Sequence, residues 1–285
     1  MTLRPLALSL LACTLAACTP TPIDEHALHD MGSSQRTVSQ GPDRLNDSPR
    51  HQEWVEVKRG DRTIYTWVVY PQVDEPRPVV LVIHENRGLN DWARSFADQV
   101  AEAGYIAVAP DLLSDFSATE RRTSDFANDD AARTAIGQLP PEQVSADLAA
   151  VAAWAQTIPA SNQRLATAGF CWGGSQSFQF ATQSNELDLA MVFYGTGPTD
   201  AAVYANITAP VVAFYGGADE RVNATIPLSE QAMSSAGKRF DYQVYEGAGH
   251  AFMRLGEDTA GDPANVSARQ AALERMKAQL QALID

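Results

Sequence analysis

Ala166-Thr167-Ala168-Gly169-Phe170-Cys171-Trp172-Gly173-Gly174 is the stretch whose reading decides the fold. It reads as a strand running into a very tight turn, then a helix opening at Gly173 to Gly174. Glycine two residues either side of Cys171 is needed because a side chain there would collide with the neighbouring strand or helix. That is the spacing of a nucleophile elbow, with cysteine where serine more often sits. The turn lifts the Cys171 sulfur above the carboxyl ends of the strands, at a helix N-terminus whose partial positive charge favours a thiolate. The bland alternative is a buried, inert cysteine acting as a small hydrophobe, but a core cysteine does not require the flanking glycines.

Working outward, Val79-Val80-Leu81-Val82-Ile83 and Tyr105-Ile106-Ala107-Val108-Ala109 are continuous apolar runs. Such runs mark strands buried on both faces of a parallel sheet. Between them Asp91 to Ala103 carries Trp92, Phe96 and Val100 on one helical stripe, ended by Gly104. Beyond the elbow, Leu189–Tyr194, Pro210–Tyr215 and Phe240–Tyr245 read as further strands. Pro141–Thr157, Thr225–Ala236 and Ala264–Ile284 read as helices, the last facing the core through Val266, Leu273, Met276, Leu280 and Leu283. Residues 53–57 and 63–70 alternate and are joined by Arg59-Gly60-Asp61-Arg62, an antiparallel hairpin. The whole predicts one α/β domain over 51–285: a mostly parallel central sheet with an N-terminal antiparallel hairpin and helices on both faces. The long polar connection Leu112–Pro140 is expected to overhang the active site.

An acid and a base follow the elbow at the same rim of the sheet. Gly216-Gly217-Ala218-Asp219 ends one strand, and Glu246-Gly247-Ala248-Gly249-His250 follows the last. In this order Cys171 is the nucleophile, Asp219 the acid that fixes a tautomer, and His250 the base that takes the thiol proton and returns one to the leaving group. Asp219 also reads as an ordinary turn aspartate, with Glu220 its nearest substitute, and His250 as a satisfied surface histidine. His84-Glu85-Asn86-Arg87-Gly88 follows the first buried strand; Gly88 stands where a zinc-binding pattern needs a second histidine, so zinc is rejected. The position suits an oxyanion loop, with the backbone N–H groups of Asn86 and Trp172 converging. Glu85 is a carboxylate near a thiol, and reads either as a group that holds or places Cys171 or as a structural partner of Arg87.

These motifs, with Ala109-Pro110-Asp111-Leu112 and Gly249-His250-Ala251-Phe252, resemble the dienelactone hydrolase family of the α/β-hydrolases, over roughly Val55 to Ile284. The resemblance implies a Cys-Asp-His triad in an esterase or lactonase acting on a small-molecule ester or lactone. It also implies that Glu85 switches partners to release the thiolate when substrate arrives. Two arginines grip the substrate carboxylate in the best-known members; Arg254 matches one, and Asp115 replaces the other. Arg87, Arg121 and Arg122 are candidates to compensate. Phe252, Trp172 and Phe116 would give the pocket an apolar lining.

Composition constrains the partners. A formal charge of −14 with no Lys/Arg cluster argues against nucleic acid. No metal or organic cofactor is implied. Met1 to Cys18 has the layout of a targeting segment: Arg4, then apolar Leu6–Leu15, then Leu15-Ala16-Ala17-Cys18. Its end resembles the lipobox of bacterial lipoproteins, which implies a lipid anchor on Cys18 and a place in the cell envelope, at the outer membrane facing the periplasm. Plain secretion without lipid is the alternative. Residues 19–50 read as a flexible tether whose His26 and His29 lack a third metal ligand. Cys171 would then be a lone thiol in an oxidising compartment. Two rival readings stand beside hydrolysis: a non-catalytic envelope lipoprotein that uses the fold for binding, and single-cysteine redox chemistry.

Overall fold

Buried strands placed side by side must be covered on both faces, and the fold follows from that requirement. The computed structural model describes Thr2 and residues 42–284. The targeting segment, the lipobox Cys18, His26 and His29 lie outside the described residues. Among the described residues the strands are β1 (Gln52–Arg59), β2 (Arg62–Val69), β3 (Arg77–Ile83), β4 (Ile106–Pro110), β5 (Ser161–Phe170), β6 (Leu189–Phe193), β7 (Val211–Gly216) and β8 (Phe240–Tyr245). They form one sheet in the order β1-β2-β4-β3-β5-β6-β7-β8. β1 and β2 pair antiparallel, as do β2 and β4; every other neighbour is parallel.

Period-two alternation divides the core. From β3, Val79, Leu81 and Ile83 join one apolar cluster while Val80 and Val82 join the other. All five are fully buried, each contributing about 1.5–3 kcal/mol of transfer free energy. The first cluster lies under α4 (Pro141–Ala155), α5 (Trp172–Ala181) and α7 (Ile226–Ser235). The second lies under α2 (Asp91–Glu102) and α9 (Pro263–Gln281), and stacks Phe170, Phe193 and Phe214 from adjacent strands. This is an α/β-hydrolase architecture, with the antiparallel strands at the N-terminal edge.

The chain leaves β3 toward β4 on one side and returns to β5 on the other. The carboxyl ends of β3 and β5 therefore flank the crevice where the strand order reverses, the position at which open α/β sheets bind ligands.

Two expectations are revised. Residues 42–50, read as the end of a tether, are docked: α1 (Pro42–Asp47) lies against α2, and Ser48 and Arg50 hydrogen-bond the buried Asp98. The last helix buries Met276 and Leu280 as expected, but its remaining buried positions are Asn265, Ala268 and Ala272, with Val266 and Leu273 only half-buried. The close backbone approach is to the turn before this helix, where a Cβ on Gly256 would strike the Asn265 carbonyl. The connection after β4 contains a helix of its own, α3 (Asp129–Ile136), capped by the Asn128 side chain on the Ala131 N–H.

Candidate active site

Cys171 stands between the end of β5 and the first turn of α5, with φ 55° and ψ −116°. Its N–H donates to the Phe193 carbonyl at 3.0 Å, and its carbonyl accepts from Ser175, so the turn is held at both ends. A Cβ on Gly169 would strike the Gly173 backbone, and one on Gly173 would strike the carbonyls of Ile83 and His84. Both glycines are thus required by close backbone approach. Tyr194 (φ 41°) and Ala251 (φ 61°) are also left-handed and line the same cavity, so backbone strain gathers around the sulfur.

The loops after β7 and β8 are stitched together by backbone bonds from Gly217 to Tyr245 at 2.7 Å and from Ala218 to Ala248 at 2.9 Å. Asn265 of α9 accepts from the Gly249 N–H at 2.9 Å and fixes the histidine loop from behind. Asp219 and His250 meet as a result. Asp219 Oδ2 lies 2.5 Å from His250 Nδ1, and His250 Nε2 lies 3.1 Å from Cys171 Sγ. Asp219 Oδ1 accepts from the Val222 N–H and caps α6 (Glu220–Asn223), so one carboxylate anchors both a helix and the ring. Burial disfavours the His250 charge, yet the hydrogen bonds and charges of Cys171 and Asp219 outweigh it and push the imidazole up to about 9.

The other predicted residues fall differently. Glu85 is 4% exposed, and Arg254 Nε–H donates to its Oε2 at 2.9 Å. Arg254, rather than Arg87, is therefore its partner; Arg87 is bound to Asp129 at 2.9 Å. The hydrogen-bond partner of the Cys171 sulfur is His250, while the second oxygen of Glu85 accepts from the Tyr194 hydroxyl at 3.4 Å. Asn86 and Trp172 line the cavity, and neither backbone N–H donates to a protein acceptor among the described residues.

Phe252 is a correction. It is fully buried between Tyr194 and Tyr245 and does not line the cavity, because the left-handed Ala251 turns it into the core. Phe116 packs on Phe126 and is not among the residues that line the cavity, and Asp115 is bound to Arg121 and to the Thr63 N–H. Arg121 and Arg122 do not line the nucleophile's cavity either.

That cavity has a volume of about 740 Å³. α3 does overhang it, contributing Arg133 and Ile136 followed by Gly137. Sequence reading missed Arg133, Arg221 and Tyr194 as lining residues. Tyr194 carried one available signal, its place directly after a strand of the same rim. His84 is fully buried and held neutral, pushed down to about 4 by burial. Its Nδ1–H donates to the Glu85 carbonyl and its Nε2 accepts from the Leu112 N–H, while the ring stacks on Trp172 at 5.6 Å. Both nitrogens are spent on positioning the loop that carries Glu85 and Asn86.

The fold and the site define an α/β-hydrolase whose elbow presents a thiol. Comparison with known proteins narrows the class. The Dienelactone hydrolase family matches over residues 64–284. A protein of Escherichia coli (strain K12) assigned as a carboxymethylenebutenolidase is 34% identical over 194 residues, covering 64% of this chain and 69% of the relative. A protein of Methylorubrum extorquens with the same assignment is 32% identical over 212 residues, covering 70% and 71%. Among solved structures, a Klebsiella pneumoniae protein assigned as a dienelactone hydrolase superposes with a TM-score of 0.68 at 24% identity, over 79% of this chain and 97% of that one. The chain belongs to the dienelactone hydrolase family and is a hydrolase.

Proposed function

We propose that the protein hydrolyses an ester or lactone through a cysteinyl acyl-enzyme, and the observation that carries this is His250 bridging Asp219 at 2.5 Å and Cys171 at 3.1 Å. His250, held up to about 9, carries the proton that Cys171 gives up so that sulfur can attack the substrate carbonyl, and Asp219 orients and stabilises the charged ring. The oxyanion is met by the backbone N–H groups of Asn86 and Trp172, the latter at the start of α5. Collapse of the tetrahedral adduct expels the alkoxide, which takes its proton from His250. Water, deprotonated by the same nitrogen, then cleaves the thioester and frees the acid. Of the four arginines that line the cavity, Arg87, Arg133 and Arg254 are paired with Asp129, Asp130 and Glu85, while Arg221 makes no ion pair among the described residues and is the cation open to an anionic group on the substrate. Glu85 acts by positioning Arg254.

The test is a burst experiment with p-nitrophenyl acetate, read by p-nitrophenol release and mass spectrometry of the protein. An acetyl adduct on Cys171, absent in Cys171→Ala, supports the reading. Turnover that survives in Cys171→Ala at the wild-type rate would sink it.

We further propose that Cys18 is lipidated and anchors the enzyme in the bacterial envelope, at the outer membrane facing the periplasm, on the strength of Leu15-Ala16-Ala17-Cys18. Labelled palmitate should enter the wild-type chain and not Cys18→Ala; equal labelling of both overturns the assignment.

A further inference from the structure

A second cavity, of about 810 Å³, opens beside the one that holds Cys171, and the two share Ser175 and Thr196. Its walls are the start of α4, one side of α5 and residues 196–198 after β6. Gln176, Gln179 and Gln183 recur at helical spacing, so their amides form one row along α5 and just past its end. The chemistry changes across the shared pair. Four arginines line the cavity on the Cys171 side, whereas among the described residues no arginine, lysine or aromatic ring lines the second, and Glu142 is its one charged residue.

The boundary between the two is built by backbone packing. A Cβ on Gly195 would strike Gly174 and the Ser175 nitrogen, so the chain after β6 lies directly on the first turn of α5. The Thr196 N–H donates to Ser175 Oγ at 2.9 Å, and the two hydroxyls stand 3.1 Å apart. In such a pair one hydroxyl donates to the other, which leaves one O–H free to donate and lone pairs beside it free to accept. Ser175 follows Cys171 by one helical turn, its N–H donating to the Cys171 carbonyl at 3.2 Å. Further in, Gln179 donates its amide to Thr182 at 3.1 Å. Gln176 and Gln183 make no side-chain hydrogen bond among the described residues, and neither does Ser145 on the facing helix.

We propose that this groove is the subsite for an open-chain polyhydroxylated part of the substrate, which passes over Ser175 and Thr196 and is held by Ser145 and Gln176. Hydroxyls and primary amides each donate and accept, so a row of them matches a chain of hydroxyls, which does the same. A peptide would need pockets for its side chains or an open strand edge, and the groove supplies neither. With no aromatic face to stack on, an open chain suits it better than a sugar ring. The hydroxyls belong to either half of an ester, the acid or the alcohol. Hydrolysis of such a substrate rests on the acyl transfer proposed above; its binding in the groove does not.

The experiment is calorimetric titration of Cys171→Ala, in which binding is read without turnover, and of the same variant with Ser145→Ala and Gln176→Ala added. The ligands are uncharged esters in matched pairs. Methyl gluconate and methyl hexanoate differ in the acid half, glucitol 1-acetate and hexyl acetate in the alcohol half. One polyol ester should bind in the millimolar range and about fivefold or more tighter than its alkyl counterpart, and the added substitutions should remove most of that advantage, since a neutral hydrogen bond is worth about two- to tenfold. A smaller advantage in both pairs overturns the site, as does an advantage that survives Ser145→Ala and Gln176→Ala. In wild type, kcat/KM separates the halves: a preference for methyl gluconate over methyl hexanoate assigns the chain to the acid, and one for glucitol acetate over hexyl acetate assigns it to the alcohol. Equal values within both pairs overturn its assignment to the substrate. Binding of the expected pattern in a wild type that hydrolyses neither these esters nor p-nitrophenyl acetate overturns acyl transfer and keeps the binding site.

Discussion

Arg254 donates to Glu85 at 2.9 Å and so ties the short helix α8 (Phe252–Leu255) to the loop after β3, across the mouth of the cavity that holds Cys171. Glu85 is almost wholly buried, whereas Arg254 is 27% exposed at its side chain. Losing the arginine strands a buried carboxylate with only a long hydrogen bond from Tyr194. Arg254→Gln should cost about 1–3 kcal/mol, discounted from the figure for a fully buried pair because water reaches the guanidinium. Urea denaturation measures it, and the double variant Glu85→Gln/Arg254→Gln should recover at least half of the loss. A double variant less stable than Arg254→Gln alone would contradict the argument.

The histidine sets a pH dependence of stability. His250 is raised above its ordinary value to about 9 in the folded protein, so the native state binds its proton more tightly than the unfolded chain does. Its contribution is complete below about 6.5 and is lost as pH rises toward 9. Asp219→Asn removes one of the groups that raise it. The urea midpoint should therefore fall more steeply across this window in wild type than in Asp219→Asn; identical slopes would remove the basis for the claim.

The elbow has no room for a methyl group. A Cβ on Gly173 meets the backbone carbonyls of Ile83 and His84, at and just past the end of a central strand, and backbone there cannot swing aside as a side chain could. Gly173→Ala should destabilise by more than about 2 kcal/mol or fail to accumulate as folded protein. Gly237→Ala is the control: nothing lies within 4 Å of a Cβ there, and only its positive φ of 65° is strained. Thermal unfolding of the two variants should separate them clearly.

Asp98 holds the segment before the sheet. It is fully buried and receives Ser48 at 2.5 Å and both Arg50 contacts at 2.8 and 2.7 Å, with Arg44 at 2.9 Å. Burial alone would raise its carboxyl, but the hydrogen bonds from Arg50 and Ser48 and the charges of Arg50 and Arg44 hold it below the ordinary range. The contribution is therefore present above the ordinary carboxylate range and is lost as pH falls through it. Asp98→Asn should cost about 2–4 kcal/mol and open the bonds after Arg44 and Arg50 to trypsin. Unchanged cleavage would show that residues 42–50 are held by other contacts.

What the sequence determined by itself was the part governed by local rules. Period-two alternation and apolar runs specify the strands, and a glycine either side of Cys171 specifies a turn that only a strand and a helix in contact require. Placing Asp219 and His250 just after strand ends puts them on the same rim as Cys171, because parallel strands share one carboxyl edge. The tertiary structure alone decided the partners of long side chains. Glu85 and Arg254 are 169 residues apart, and Arg87 turned to Asp129 because α3 folded within its reach. Phe252 went to the core because Ala251 is left-handed, a backbone choice that no periodicity encodes. Residues 42–50 docked because three side chains converge on one buried carboxylate, and the composition that reads as a tether describes the segment without its partner. Ion pairs and side-chain direction depend on what stands opposite in space, and that is fixed only when the sheet has closed its order.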